Sequence, residues 1–429
     1  MTQLTENSNS LSPTQDTLKT SVIEKRLPYI AAFWFFVVLN SYLVWNPLAP
    51  IVHFLPALLI VWGTCLLSDK LARTSYYRIL FCCITIYFFW IVLSFCDTFG
   101  SIIKRCTDFF PLLCIILWPS ELILKSYEII RKVIIFYAIG SAILSVLILL
   151  GLNERLPHLV LPPRETIHVN RGIVYYLYGL FIANCSTSIG VTGVSSRACG
   201  MLQEPGHFAI LLGFIYLIDR LSGRKINYWI VICGLLTFSS AFILIVFFTE
   251  IYSIFSLKRL RKVVISLPFI VLFLFLLYSF LPSGIQEQIE YYAYGRNLEK
   301  VIEALSETSS LTGALDERAS DFSIANYEKM TTMQYVFGGG HRDRGDVLSD
   351  YRGMVINVGY VGVFLAIFIY LAIFVRTPLK IKIALGLSFF LVLLHRSWML
   401  YQPYIFIEGF MAVIAYRKSQ ERVYNDIKS

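Results

Sequence analysis

The sequence predicts an all-α integral membrane protein of about twelve transmembrane helices with one large loop outside the membrane. Three observations carry that prediction. Of 429 residues, 57% are hydrophobic and only 15% are charged, whereas soluble domains carry about 25% charged residues to cover their surface. Runs such as VVISLPFIVLFLFLLYSFL at 263–281 supply the ~20 apolar residues that a helix needs to cross a bilayer. Strands of a membrane barrel would alternate over segments of about ten residues, which these runs do not.

Taken in order, residues 1–24 (MTQLTENSNSLSPTQDTLKTSVIE) are polar and lack the n-region and h-region of a cleaved signal peptide. They read as the bulk of an unstructured tail over 1–26. Candidate spans follow at 29–45, 49–67, 77–96, 107–124, 133–151, 205–221, 228–238, 240–256, 263–281, 354–375, 380–396 and 400–416. Seven basic clusters punctuate them: Lys25/Arg26, Lys70/Arg73/Arg78, Lys125/Arg131/Lys132, Arg220/Arg224/Lys225, Lys258/Arg259/Arg261/Lys262, Arg376/Lys380/Lys382 and Arg417/Lys418. The positive-inside rule puts all seven in the cytoplasm when both termini lie there, including a tail at 417–429. The net charge of +9 is spread over these connections, so no nucleic-acid surface is expected and the bilayer is the expected partner. This reads as a multi-pass membrane protein with both termini in the cytoplasm.

Three segments depart from regular spans. RGIVYYLYGLFIANCSTSIG (171–190) is apolar, but its Ile, Val and Tyr content suits extended structure. It is expected outside, as a surface or re-entrant piece of the 152–204 connection. The pair 228–238 and 240–256 is divided by TFSS at 237–240, a break of the kind tolerated at membrane depth where it lines a cavity. Residues 282–353 form the one large hydrophilic loop, with twelve acidic and seven basic side chains. Its stretch 285–305 has amphipathic helical spacing. Its end, FGGGHRDRGDVLSDYRGM (337–354), is rich in glycine and arginine.

With this topology the outer face gathers polar groups from distant parts of the chain. RACGMLQEPGHFA (197–209) brings Arg197, Glu204 and His207; the loop brings Arg318, His341, Arg342, Arg344, Asp350, Tyr351 and Arg352; the end of span 380–396 brings His395 and Arg396. Arginine grips phosphate in a bidentate fork, and successive N–H groups in a glycine turn make an anion nest. An anionic, membrane-anchored diphosphate therefore fits the face, with Arg197, Arg318, Arg342, Arg344, Tyr351, Arg352 and Arg396 as the binding candidates. His341, Glu204 or Asp350 could take a proton from an attacking hydroxyl. No DxD or other carboxylate cluster suggests a metal, and no cofactor motif is present. The nine cysteines show no metal spacing, and free thiols are favoured over a Cys185–Cys199 disulfide.

RACGMLQEPGHFA resembles the R-x-x-G-x-x-x-E-P-x-x-x-A signature of bacterial O-antigen polymerases. GGGHRDRGDVLSDYRGMVINVGYVGVFL is similar to the end of that family's periplasmic loop, with G-x-G, then S-x-Y, then a closing G-x-x-G. The motifs cover roughly 197–410, and the rest is similar in hydropathy only. The resemblance implies the Wzy-type polymerase and ligase superfamily and a GT-C type fold. It implies metal-independent, inverting transfer of undecaprenyl-diphosphate-linked oligosaccharide on the periplasmic face, alongside a chain-length regulator. Two departures stand out. Ser240 and Ala241 follow the break where many relatives carry Arg, and Ser349 holds the place, ten residues before Gly359, where the ligase branch has His.

Each candidate has a plainer alternative. Arg197 either holds phosphate or snorkels at the interface. Glu204 orients Arg197, acts as the base, or is a helix N-terminal carboxylate favoured by the dipole. His207 reads as a satisfied buried histidine, and Tyr351 as an interfacial anchor. Glu408, near mid-bilayer in YIFIEGFM, reads as the partner of an inward Arg. A ligase and a transporter or flippase of polyanionic lipid are the rival functions. The latter predicts midplane charges and inverted repeats, and no repeat is present.

Overall fold

A computed structural model describes residues 15–39, 49–71, 74–96, 98–161, 173–186, 195–202, 204–254, 276, 278–281, 283–290, 321–338, 351–395 and 403–428. Within these the chain is mostly helical. Five helices open it: α1 (Gln15–Val38), α2 (Ala49–Leu66), α3 (Ser75–Phe95), α4 (Phe99–Ile116) and α5 (Ser120–Leu149). A four-stranded antiparallel sheet follows, with β1 (Leu159–Leu161), β2 (Ile173–Tyr178), β3 (Phe181–Ser186) and β4 (Ser195–Ala198) in chain order across it. Then come α6 (Pro205–Leu221), α7 (Tyr228–Leu236), α8 (Ser240–Ile254), α9 (Ser283–Glu290), α10 (Asp321–Glu328), α11 (Thr332–Phe337), α12 (Tyr351–Phe374), α13 (Leu379–His395) and α14 (Tyr404–Lys428).

Three helical stretches, Ser75–Ser94, Ser120–Leu149 and Tyr351–Phe374, are long and apolar enough to cross a membrane. Large apolar side chains cover their outward faces: Phe89, Leu93, Phe136, Ile143, Phe364, Phe368 and Leu371 are all at least half exposed. An apolar surface of that extent is stable against lipid rather than water. The interior is aromatic-rich, with Trp34, Trp118, Tyr87, Tyr127 and Phe109 fully buried.

Side-chain contacts establish which helix ends lie together. Tyr76, at the start of α3, donates to the Ile373 carbonyl at the end of α12 (2.7 Å) and lies 5.0 Å from both the Arg376 and Arg417 guanidiniums. Lys418 of α14 pairs with Glu121 at the start of α5 (3.1 Å). Asp219, near the end of α6, is fully buried and accepts from Tyr127 Oη (2.9 Å) and Arg131 Nε (2.8 Å to each oxygen) of α5. One end of the bundle thus gathers the Arg131, Arg220, Arg376 and Arg417 clusters. The starts of α6 and α12 and the ends of α3 and α5 lie at the other.

Several expected boundaries shift. Helix α1 begins at Gln15, inside the segment read as an unstructured tail. The span expected at 107–124 is α4, which starts eight residues earlier because Thr98 and Ser101 form a capping box there. Helix α5 starts at Ser120 behind Pro119, so Lys125, Arg131 and Lys132 lie within a helix and not in a connection. Helix α12 takes in Tyr351 and Arg352, which were placed in the loop, and α14 runs twelve residues past 416. The segment 171–190 contains a β-hairpin, as its composition suggested. The span at 263–281 lies almost wholly outside the described residues.

Candidate functional site

The site is built around the break between α7 and α8. Helix α7 ends at Leu236, Phe238 takes a left-handed backbone (φ 45°), and α8 begins at Ser240. A non-glycine residue in that conformation costs about 1–2 kcal/mol, and the last carbonyls of α7 are taken by the Thr237 N–H and hydroxyl and by the Phe238 N–H, which leaves the Thr237 and Phe238 carbonyls to be bonded from outside the helix. Arg197 of β4 does so. Its Nε donates to the Thr237 carbonyl (2.9 Å) and its Nη2 to the Phe238 carbonyl (3.1 Å). Its cationic head thus faces the negative end of the helix dipole.

The turn from β4 to α6 explains the spacing of the Arg, Gly and Glu in the motif. Gly200 has φ +64°, and a Cβ there would stand 2.6 Å from the Phe208 ring of α6. Its carbonyl accepts from Ile182 N (2.8 Å), which ties the turn to β3. Pro205 opens α6, and Glu204 is its N-cap, with extended backbone and no side-chain bond to the helix. Between them Cys199 is buried; burial pushes its thiol well up, Arg197 pulls the other way and Glu204 adds to the rise. Arg197 and Glu204 thus stand on one turn, to either side of the buried Cys199 in the chain. His207 is buried in the first turn of α6, at 5% exposure. Cys185 and Cys199 are both free thiols on opposite faces of the sheet.

The second part lies where the large loop rejoins the bundle. Helix α12 breaks at Gly359 (φ 67°, ψ 176°). Gly338, ending α11, seats against that break: a Cβ on Gly359 would lie 2.3 Å from the Val336 carbonyl oxygen, and one on Gly338 2.5 Å from that of Asn357. Trp90 of α3 donates to the Val358 carbonyl (2.8 Å), replacing a bond the break removes. The first loop glycine and the first closing glycine are thus packing partners. The Gly338 N–H is spent on the Gln334 carbonyl (2.8 Å), so it is not part of the anion nest expected from the glycine run. Tyr327, Tyr335 and Tyr360 cluster beside this contact; Tyr327 and Tyr360 join their hydroxyls at 3.1 Å, and Tyr335 stacks on Tyr360. Arg352, 7% exposed, and the half-buried Tyr351 form the first turn of α12.

Of the sequence candidates, the structure sets Arg197 and Glu204 on the one connection between β4 and α6, and Tyr351 and Arg352 at the same end of the bundle. His341, Asp350, Arg318, Arg342, Arg344 and Arg396 lie outside the described residues. One pair escaped the sequence reading. Arg105 and Asp108 are buried in α4, 3.6 Å apart, beside the Trp34 Nε1 bond to the Thr107 carbonyl (3.0 Å). The motif KRCTD (104–108) was a visible signal, passed over because the span was started at 107. Glu408 is 3% exposed, and neither carboxyl oxygen has a hydrogen-bond partner among the described residues. No protein-family model matches the chain, and no curated protein or solved structure is significantly similar to it.

Proposed function

We propose that this chain is a membrane glycosyltransferase that joins undecaprenyl-diphosphate-linked oligosaccharide repeats into a polysaccharide. It would act on the periplasmic face of a bacterial inner membrane, with both termini in the cytoplasm. The observation that carries the reading is the segregation of charge along the bundle. At one end the basic clusters are tied to carboxylates or aromatic rings, as in Arg131–Asp219 and Arg376 over Tyr76. At the other lie Arg197 and Glu204, both on the β4–α6 connection, and Arg352 from far later in the chain. Arginine-rich sites of that kind offset the charge of a departing diphosphate without a metal.

In this mechanism Arg352, with Arg318, Arg342, Arg344 and Arg396 of the loop and last connection, holds the donor diphosphate. Arg197 fixes the break between α7 and α8 beside it. Glu204, His341 or Asp350 takes the proton from the acceptor hydroxyl as it attacks the donor's anomeric carbon. The diphosphate then leaves from the opposite face of the ring, which gives inversion. A chain-length regulator is the expected protein partner.

The test uses Glu204→Gln and Arg352→Ala in cells that depend on this gene for surface glycan. Both variants should reach the membrane at normal levels while the glycan ladder collapses to a single repeat. Normal ladders from both would overturn the reading. Accumulated long undecaprenyl-linked chains would instead assign a ligase.

A further inference from the structure

The β2–β3 hairpin is seated far below the end of the helix that carries it. The Phe181 ring at the start of β3 covers Gly140 of α5 so closely that a Cβ there would stand 2.1 Å from it. The same ring packs on Phe136 and Tyr137 at centroid separations of 5.5 and 5.6 Å. Strand alternation puts Ala183 and Cys185 on the same side as Phe181, and both share a buried cluster with Leu144 and Ile148 of α5. A two-residue step of strand matches a four-residue step of helix, about 6 Å each. Strand β3 therefore climbs along α5, with the hairpin turn at the bottom.

The depth follows from the helix rise. Gly140 precedes the last residue of α5, Leu149, by nine residues, about 13–14 Å along the axis. It follows Lys132, the last charged residue of α5, by about 12 Å on the same measure. The turn Gly179–Leu180 thus stands near the middle of the apolar stretch of a membrane-length helix, about half of the ~30 Å hydrocarbon thickness from either boundary. Around it Leu180, Leu159 and Val160 are 62, 65 and 65% exposed, continuous with the outward Phe136 and Ile143 of α5.

We infer that the tip of this hairpin is a re-entrant element immersed in the bilayer, with lipid acyl chains as its partner. Backbone polar groups make such a position costly unless they are paired, and the two strands pair with each other down to Tyr178 and Phe181, next to the turn. Strand β2 is bonded on both sides by β1 and β3, and β3 by β2 and β4, which among the described residues leaves the three-residue β1 as the edge on this side. A two-residue turn with Gly179 at φ +60° closes the tip without a longer polar loop. Near that edge the His158 ring lies over Tyr176 and Tyr178, and its Nδ1 donates to the Leu156 carbonyl (2.8 Å).

The inference is independent of the proposed reaction and is tested without it. The nine native cysteines are replaced, and single cysteines are placed at Leu180, Val160, Ile143 and Asn153 of the full chain in nanodiscs, where both membrane faces meet the reagent. A water-soluble maleimide should label Asn153→Cys at least an order of magnitude faster than Leu180→Cys or Val160→Cys. Nitroxides at 180 and 160 should match the Ile143→Cys reference, with oxygen access several-fold above that of a soluble nickel chelate. Labelling at 180 and 160 as fast as at 153 would overturn the inference. Should Leu180→Cys fail to fold, Val160→Cys decides alone. Gly140→Leu, which evicts Phe181, should raise labelling at 160.

Discussion

Arg197 is the residue at which the structure and the motif make different demands, and its substitution separates them. Its Nε and Nη2 bonds to the Thr237 and Phe238 carbonyls hold the break between α7 and α8. A hydrogen bond from a charged donor contributes about 1.5–3 kcal/mol net. The half-buried position of this side chain argues for the lower figure, so losing both bonds costs about 3 kcal/mol. Arg197→Ala should therefore lower the unfolding temperature by several degrees and speed maleimide attack on Cys199, two residues away. Arg197→Lys reaches one carbonyl at a time and should show about half of each effect. Both are measured in nanodiscs, by intrinsic tryptophan fluorescence and by thiol labelling, with no substrate present. If Arg197→Ala melts with the wild type and leaves Cys199 protected, the guanidinium does not hold the break, and the reasoning fails.

Three further outcomes follow from described geometry. Gly359→Ala puts a Cβ 2.3 Å from the Val336 oxygen in a backbone region open mainly to glycine; it should cost about 3 kcal/mol or more and sharply reduce folded yield, while Gly386→Ala, which meets nothing within 4 Å, should be silent. Arg131→Met leaves Asp219 buried with Tyr127 alone and should destabilise by about 3–5 kcal/mol; adding Asp219→Leu should restore much of the melting temperature, and failure to do so would place the energy elsewhere. Burial pushes the thiols of Cys185 and Cys199 well up; both should stay unmodified by maleimide at pH 8 until denaturant is added, whereas a cysteine introduced by Asn153→Cys should react at once.

What the sequence disclosed tracks the range of the interactions involved. The Ile, Val and Tyr content of 171–190 is a local signal, and it pointed to extended structure where hydropathy alone suggested a thirteenth helix; a β-hairpin lies there. The TFSS break was equally local, since two short apolar runs flank one polar step. Boundaries near 99 and 120 were misplaced because hydropathy weighs whole windows, while a Thr98 capping box and the proline at 119 act through single bonds. The partner of Arg197 lies forty residues away and is a main-chain carbonyl, so no pattern of residue types announces it. The same holds for Gly338, which reads as part of an anion nest, and Gly359, which reads as a closing motif glycine: the two serve close packing against each other.

The contact between those two glycines has a consequence for how the loop can change. The chain leaves it at Gly338 and returns to the bundle at Tyr351, six residues before Asn357 on the same helix. The intervening twelve residues, 339–350, are thus a cassette clasped at both ends, and lengthening such a segment adds only slowly to its closure entropy. His341, Arg342, Arg344 and Asp350 all belong to it. Selection can therefore rewrite those side chains, or graft a longer insert between them, while the clasp keeps the bundle in register.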